Sequence, residues 1–573
     1  MSAVRPSPYG RRWRQRLAAA FCLAALAVPA ASKPAFADAF TTAPITFARV
    51  EWRGALDQLN AEMAAKAGTA GYLTFARNRQ ARPFDPRRYP ALQQLNAITA
   101  AVFSGIGSSP VPVLLPFAAP AYLADRIAGA PDLAETHYQS GFRRADLFEA
   151  GPSGYDAVFS LPPHAGDGLR SRVYSRPIEV HITGSLLTYD IGDPLGGKGE
   201  PVKSLANQYP DLRRLIREGF VRYAFTRFGV PYVVSINCLD SVPRSRRLAC
   251  REASLVAEHF LKNLRVTGGK PTRPRIAIAS QEVERPPTAS PDFTYRPPGD
   301  LINNSSYRGK GGKADWTVYS QIRFPIEETP AFANSQSFMN WGDCYLKGRT
   351  ARPNTKGAAY RCKLNDKKLV FDESAKENYS YPWQDNFCET RDFEAGQCPA
   401  GYGHQGQDIR PATCTPRNGN GDRCLPDRHA VVAVRDGALI RARTQQAALV
   451  LVNTRAEHIR FRYMHMNPAQ MDADGVLHGR RVSEGEKIGV VSNYQDYPGG
   501  TSVHLHFDVQ VFTRDGWIWV NPYVTLISAY ERLIGGHGRE FVPSPATTPD
   551  NAISVSHGDT AAPVRQEGGE TVP

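Results

Sequence analysis

His504 and His506 stand two residues apart in a run, residues 503–512, whose apolar members Val503, Leu505, Phe507, Val509 and Val511 alternate with His504, His506, Asp508 and Gln510. Side chains on a strand alternate with period two, so this run predicts a strand with its apolar face packed inward and both imidazoles on the other. Neutral imidazoles held side by side on a rigid strand suit a metal ion and a catalytic partner. About a hundred residues upstream, His404 and Asp408 are four apart. In an extended segment that even offset turns both side chains the same way. Together with one histidine of the pair they form a set of two histidines and one carboxylate, and catalytic zinc keeps three protein ligands while leaving a fourth position to water. A third alternating run, residues 459–465, ends on His465.

These motifs, in this order, resemble the lysostaphin/LytM-type zinc metallopeptidases (family M23) that cut the peptides of bacterial cell walls. The family pattern of HxxxD, a histidine after an aromatic-rich strand, and HxH before an apolar residue is matched by His404 to Asp408, by Tyr463-Met464-His465, and by His504-Leu505-His506-Phe507. Residues 479–489, punctuated by Gly479, Gly485 and Gly489, look like the family's turn and strand between the last two motifs. The resemblance covers roughly residues 331–530. It implies that His404, Asp408 and His506 bind one Zn2+, and that His465 and His504 are catalytic, beside the reacting water and the scissile carbonyl. The chain departs from the family's pattern where Ser502-Val503 replace the usual Gly-Pro before HLHF. That change touches the approach loop and no ligand.

Other zinc chemistry fits less well. The chain holds no HExxH, which excludes the helical two-histidine site. A cell-wall D,D-peptidase family also uses HxH, but with a longer His-to-Asp spacing than His404 to Asp408. His429 and His458 lie near the expected strands at no motif position and are read as structural.

The elements that must position these side chains are predicted to make an α+β protein, with a mainly antiparallel β catalytic domain over residues 331–535. Residues 38–150 read as mainly helical, with helix-spaced apolar residues in 50–67 and an apolar-rich stretch in 89–103. Residues 151–268 read as an α+β accessory domain: strands at 178–182 and 232–236, helices at 212–228 and 248–264. Residues 269–330 are expected to be a linker, Pro-rich over 269–302, and 536–573 a disordered tail. Asp436-Gly437 between apolar runs signals a hairpin. The aromatic residues in 334–341 and 379–383 could wall a substrate groove or pack on the β core.

Composition bears on compartment. Residues 1–37 read as an export signal: Arg5, Arg11, Arg12, Arg14 and Arg16 precede an apolar run at 17–29, and Ala35-Phe36-Ala37 offers a cleavage site. Cys22 lies inside that run, without the context of a lipid anchor. No other stretch approaches the ~18–20 apolar residues that span a bilayer. The expected location is periplasmic or extracellular. The net charge of +14 falls to +8 once the signal's six basic residues are removed, a surplus suited to an anionic envelope. No motif supports nucleic-acid binding. The remaining eight cysteines fall into neighbouring couples, 238/250, 344/362, 388/398 and 414/424, and in an exported chain favour disulfides. None has the CxxC spacing of a structural zinc site.

The expected function is therefore an exported, zinc-dependent endopeptidase of peptidoglycan stem peptides or cross-links. The alternative is a non-catalytic member of the same fold that binds and activates another wall hydrolase. Such scaffolds lack metal ligands, and this chain lacks none.

Overall fold

The strand that carries His506 and directly follows His504, Leu505–Thr513, is buried along its whole length and lies at the centre of an eight-stranded sheet. Its neighbours are Gln407–Pro411 on one side and His458–Met464 on the other, both antiparallel. Beyond them the sheet continues through Ala331–Ala333 at one edge and through Ala448–Asn453, Gly437–Ile440 and Arg481–Val482 towards the other, while Gly516–Val520 forms a hairpin with the central strand. Leu505, Phe507, Val509 and Val511 enter one core with Ile459, Phe461 and Tyr463 and with the helix Tyr523–Ile534. The computed structural model describes residues 39–541 apart from 67–89, 130, 132–133, 163–177, 194–195, 218–219, 238–249, 300–314, 335–342, 347–359, 365–366, 369–378, 389–396, 399–403, 412–423 and 496.

A second antiparallel sheet of seven strands precedes it, running in space from Arg143–Gly151 through Gly154–Leu161, Ile178–Ser185, Val230–Asn237, Phe220–Arg227 and Arg213–Arg217 to Glu200–Pro201. Alternation divides its two faces. Tyr155, Ala157, Phe159, Val180 and Ile182 pack with the helices Trp52–Lys66, Pro90–Thr99, Ala119–Ile127 and Cys250–Lys262. Val158, Ala224 and Val233 turn the other way and meet Ile440, Leu451, Phe512 and Trp517 of the C-terminal sheet. The fold is thus α+β with a β-rich C-terminal part, and the described residues from Ala39 onward belong to one compact unit.

Several local expectations are corrected. The apolar stripe over 212–228 belongs to two strands, Arg213–Arg217 and Phe220–Arg227, not to a helix. Pairing of the latter with Val230–Asn237 buries alternate residues across the sheet, and long-range pairing overrides helix-like spacing. Position 150 does not end a helical region, because Arg143–Gly151 and Gly154–Leu161 form a hairpin within the seven-stranded sheet. The proline-rich segment is not a free linker: Phe293, Tyr295, Val318, Phe324 and Ile326 are buried in the C-terminal core. Its strand Ala289–Tyr295 pairs in parallel with His537–Glu540, so the expected tail begins with an ordered strand. Asp436-Gly437 lies in a bend, but the flanking strands Ala430–Val432 and Gly437–Ile440 join different sheets and form no hairpin. Trp383 packs in the core against Phe293 and Tyr530 rather than walling a groove.

Among the cysteines, Cys388 and Cys398 form a disulfide. Cys344 and Cys362 face each other in the register of two paired strands. Cys424 is disulfide-bonded, while Cys414 and Cys238 lie outside the described residues, so those two pairings do as well. Among the described residues no helix is long and apolar enough to cross a membrane.

Candidate metal centre

Strand register assembles the site. Asp408 lies opposite His506 on one side of the central strand, and Met464 lies opposite His506 on the other. His404 precedes the Gln407–Pro411 strand, and His465 follows His458–Met464. The five residues singled out from sequence are thereby brought to one end of three adjacent strands. All are buried: His404 is 6 % exposed, Asp408 1 %, His465 9 %, His504 1 % and His506 5 %.

Gly406 makes the approach between the ligand-bearing segments possible. A Cβ there would lie 2.4 Å from the Phe507 carbonyl oxygen and 2.8 Å from His506 Nε2, so any side chain would push the two strands apart. His465 sits in the left-handed backbone region with φ 67°. For a non-glycine residue that conformation is strained by about 1–3 kcal/mol and needs surrounding structure to hold it. Gln446 supplies part of that hold, its side-chain oxygen accepting from the His465 main-chain N–H.

His404, Asp408 and His506 offer one ligand atom each, all within 4.8 Å of one another, the arrangement expected of a cation site. His404 Nε2 is 3.4 Å and His506 Nδ1 3.1 Å from Asp408 Oδ1. His404 Nδ1 donates to the Asn386 carbonyl at 3.1 Å, which leaves the Nε2 lone pair directed at the centre. Burial opposes ionisation of Asp408, yet the imidazoles gathered around it, His404 foremost with His504 and His506, hold its carboxyl well below the ordinary range. Burial likewise pushes His506 down, but the neighbouring carboxylates of Asp408 and Asp508 outweigh it and raise the imidazole above its usual value. His506 Nδ1 and Asp408 Oδ1, 3.1 Å apart, thus stand where they could hold a divalent cation, and metal binding releases protons from such groups. Two imidazole nitrogens and one carboxylate oxygen are the donor set of catalytic zinc sites, so the residues present fit that ion.

His465 and His504 stand beside this set, their ring centroids 4.6 Å apart. Each is tied through Nδ1 to a main-chain carbonyl, His465 to Tyr494 at 2.6 Å and His504 to Ser502 at 2.7 Å. Those bonds fix the tautomer with the proton on Nδ1 and the acceptor on Nε2. His504 Nε2 is 3.5 Å from Asp408 Oδ1. Burial, with the neighbouring His506, pushes His465 down to about 4. Burial also drives His504 well below its usual value. Both are neutral near pH 7.

Two further groups complete the site without any motif to announce them. Asp508 lies 3.4 Å from His506 Nε2 and is held by Arg462 Nε at 2.5 Å and Trp519 Nε1 at 3.0 Å. Strand alternation places Asp508 on the histidine face, and register sets Arg462 opposite it. Asn386 contacts both His404 and Asp408. By contrast His429 pairs with Glu328, and His458 is buried against Asp156, both away from the centre.

No protein-family model and no curated protein matches this chain. Among solved structures it is similar to one from Ruminococcus gnavus ATCC 29149 described as a candidate glycyl-glycine endopeptidase lytM, at 20 % identity and a TM-score of 0.17. The match covers 24 % of this chain and spans about half, 49 %, of the other.

Proposed function

We propose that the chain is an exported, zinc-dependent endopeptidase that hydrolyses peptide bonds in peptidoglycan stem peptides or cross-links, acting in the periplasm or outside the cell. The observation that carries this reading is the convergence of His404, Asp408 and His506 on one point, with two neutral, carbonyl-tethered histidines beside it. The substrate class comes from the motif resemblance, and the surplus of basic residues suits an anionic wall.

Zn2+, when held by those three residues, would polarise a scissile carbonyl and acidify a water. The protein's own share is proton transfer and positioning. Nε2 of His465 or His504, an acceptor in the fixed tautomer, takes the proton of the attacking water and becomes imidazolium, while Nδ1–H stays on its carbonyl. The same Nε2–H is then placed to protonate the leaving amine. With the rings 4.6 Å apart, two imidazolium charges repel, so one proton at a time is carried by the pair. Whichever ring is protonated supplies a donor to the developing oxyanion.

Digestion of purified peptidoglycan by the mature protein, with and without chelator, followed by mass spectrometry of the fragments, tests the reading. New peptide ends that appear only without chelator support it. Intact peptides under both conditions, with stimulation of a second hydrolase, would instead favour the scaffold alternative.

A further inference from the structure

The segment before the first metal motif does more than connect. Residues 384–388 run beside the ligand strand, and Gln384, Asp385 and Asn386 are all essentially buried. Asn386 spends four polar groups on the segment from His404 to Asp408. Its carbonyl accepts from His404 Nδ1 at 3.1 Å, and its Nδ2 donates to Asp408 Oδ2 at 2.9 Å. Its Oδ1 accepts from the Asp408 main-chain N–H at 3.2 Å, and its own N–H donates to Gln407 Oε1 at 3.0 Å. The amide has one workable orientation, since turning it over would set oxygen against carboxylate and NH2 against N–H.

This residue is itself held from both sides. Asp385 accepts from the Phe387 N–H at 2.8 Å, from Gly299 N–H at 2.8 Å and from Asn521 Nδ2 at 2.6 Å. Gln384 accepts from Gln407 Nε2 at 2.9 Å. On the other side the Cys388 N–H donates to the His404 carbonyl at 2.9 Å, and the Cys388–Cys398 disulfide closes the turn.

We propose that Asn386 is the positioning residue of the metal centre, fixing both the tautomer of His404 and the rotation of the Asp408 carboxylate. The proposal rests on the reading that His404, Asp408 and His506 bind a divalent metal. With Oδ2 engaged by the Asn386 amide, Asp408 presents Oδ1 alone to His404 and His506, a one-oxygen ligand. With Nδ1–H held by the Asn386 carbonyl, His404 presents Nε2. Outer partners of this kind typically govern metal affinity by 10–100-fold.

The test uses the full mature chain stripped of metal. Zn2+ is titrated in competition with a chromophoric chelator, and Co2+ is titrated while its visible absorption is followed, for the parent, Asn386→Ala, Asn386→Ser and Asn334→Ala. Asn334 is a buried control on the neighbouring edge strand region, whose side-chain amide donates to the Ser380 carbonyl. Asn386→Ala is expected to weaken Zn2+ binding by roughly 10–100-fold and to alter the shape of the Co2+ spectrum, as a freed carboxylate turns to offer both oxygens. Asn334→Ala should leave both unchanged. Asn386→Ser reads the same quantities should the alanine variant fail to fold. Parent-like affinity and spectrum in a folded Asn386 variant overturn the proposal, as does an equal loss in Asn334→Ala. A parent that takes up neither ion overturns the metal reading itself, a result distinct from either of those.

Discussion

The strand His458–Met464 has a buried histidine cluster at each end, and the two clusters do opposite things with the same residue types. At its start, His458 Nδ1 lies 2.8 Å from Ser185 Oγ and Nε2 lies 2.7 Å from Asp156 Oδ2, a line of serine, histidine and aspartate. Asp156 also accepts from Thr183 at 2.6 Å and from Arg460 at 2.6 Å, and Arg460 lies 3.9 Å over the Trp517 ring. Ser185 has no exposed surface, and the carboxylate is matched by a guanidinium. This cluster binds the two sheets together. At the strand's end, His465 stands beside three imidazoles, those of His404, His504 and His506, gathered around Asp408, and among the described residues no arginine or lysine hydrogen-bonds to that carboxylate. Convergent acceptors in a buried site are unfavourable until a cation or a proton sits among them. Charge closure, not residue inventory, separates an adhesive cluster from a reactive one.

The sharpest way to break this contrast is to remove side chains at the reactive end. His404→Ala, Asp408→Ala and His506→Ala are each expected to lose bound zinc and all activity above background, as read by elemental analysis and peptidoglycan digestion. His465→Ala and His504→Ala should keep zinc and lose ~10²–10⁴-fold in turnover, the usual penalty for a positioned acid-base group. Zinc loss in those two variants would make them ligands instead.

The adhesive end should respond in stability alone. Asp156→Ala leaves Arg460 and His458 buried without their carboxylate, a change that destabilises by about 3–5 kcal/mol. Denaturant unfolding measures this, and zinc affinity of the folded fraction should stay at the parent value. A selective loss of zinc affinity would show the two ends to be coupled along the strand.

How far the sequence reveals this arrangement depends on the range of the interaction. Period-two alternation in residues 503–512 is local, so it places His504, His506 and Asp508 on one face, and the four-residue step from His404 to Asp408 is equally local. Asn386 leaves no such trace. Its partners are 18 and 22 residues away across a turn, and an asparagine among loop residues carries no spacing signal. Asp156 and His458, 302 positions apart, are still less legible, and a buried histidine with no motif is read as structural without its partner being named. The proline-rich segment misleads in another way. Proline removes backbone donors and disfavours helix, but it does not prevent Phe293 and Tyr295 from packing as an extended edge of the core.

A smaller effect belongs to the turn that carries Asn386. The Cys388–Cys398 bridge spans a sequence separation of 10. In the chain-entropy model a loop of that size contributes roughly 2–3 kcal/mol. Paired Cys388→Ser and Cys398→Ser should lower the unfolding free energy by that amount and weaken zinc binding, since the turn anchors a partner of two ligands. Peptide mapping of the unreduced protein should recover this bridge and, as the couples in sequence predict, one between Cys414 and Cys424. Either of the latter found free refutes that pairing.

The smallest effect separates the two ends by pH. Burial opposes ionisation of Asp156, but the charges of His458 and Arg460 prevail and lower its pKa from 3.8 to about 2. A carboxyl with a depressed folded pKa binds fewer protons folded than unfolded. Its contribution is therefore full above about pH 4 and is lost as pH falls towards 2, amounting to about 2 kcal/mol at ~1.36 kcal/mol per unit. His465 acts with the same sign in a higher window. Its imidazole is held neutral at about 4 against an ordinary 6.5, so in metal-free protein stability is lost as pH falls between those values. Unfolding of the metal-free chain followed from pH 7 to 2 should thus weaken in two stages. His465→Ala should diminish the upper stage, which His504 shares, and spare the lower. Asp156→Asn should diminish the lower stage, which Asp408 shares, and spare the upper, starting from a lower plateau because the ion pair with Arg460 is already gone. A single stage abolished by either substitution would mean that the two clusters titrate as one network, and that the division between adhesive and reactive ends is false.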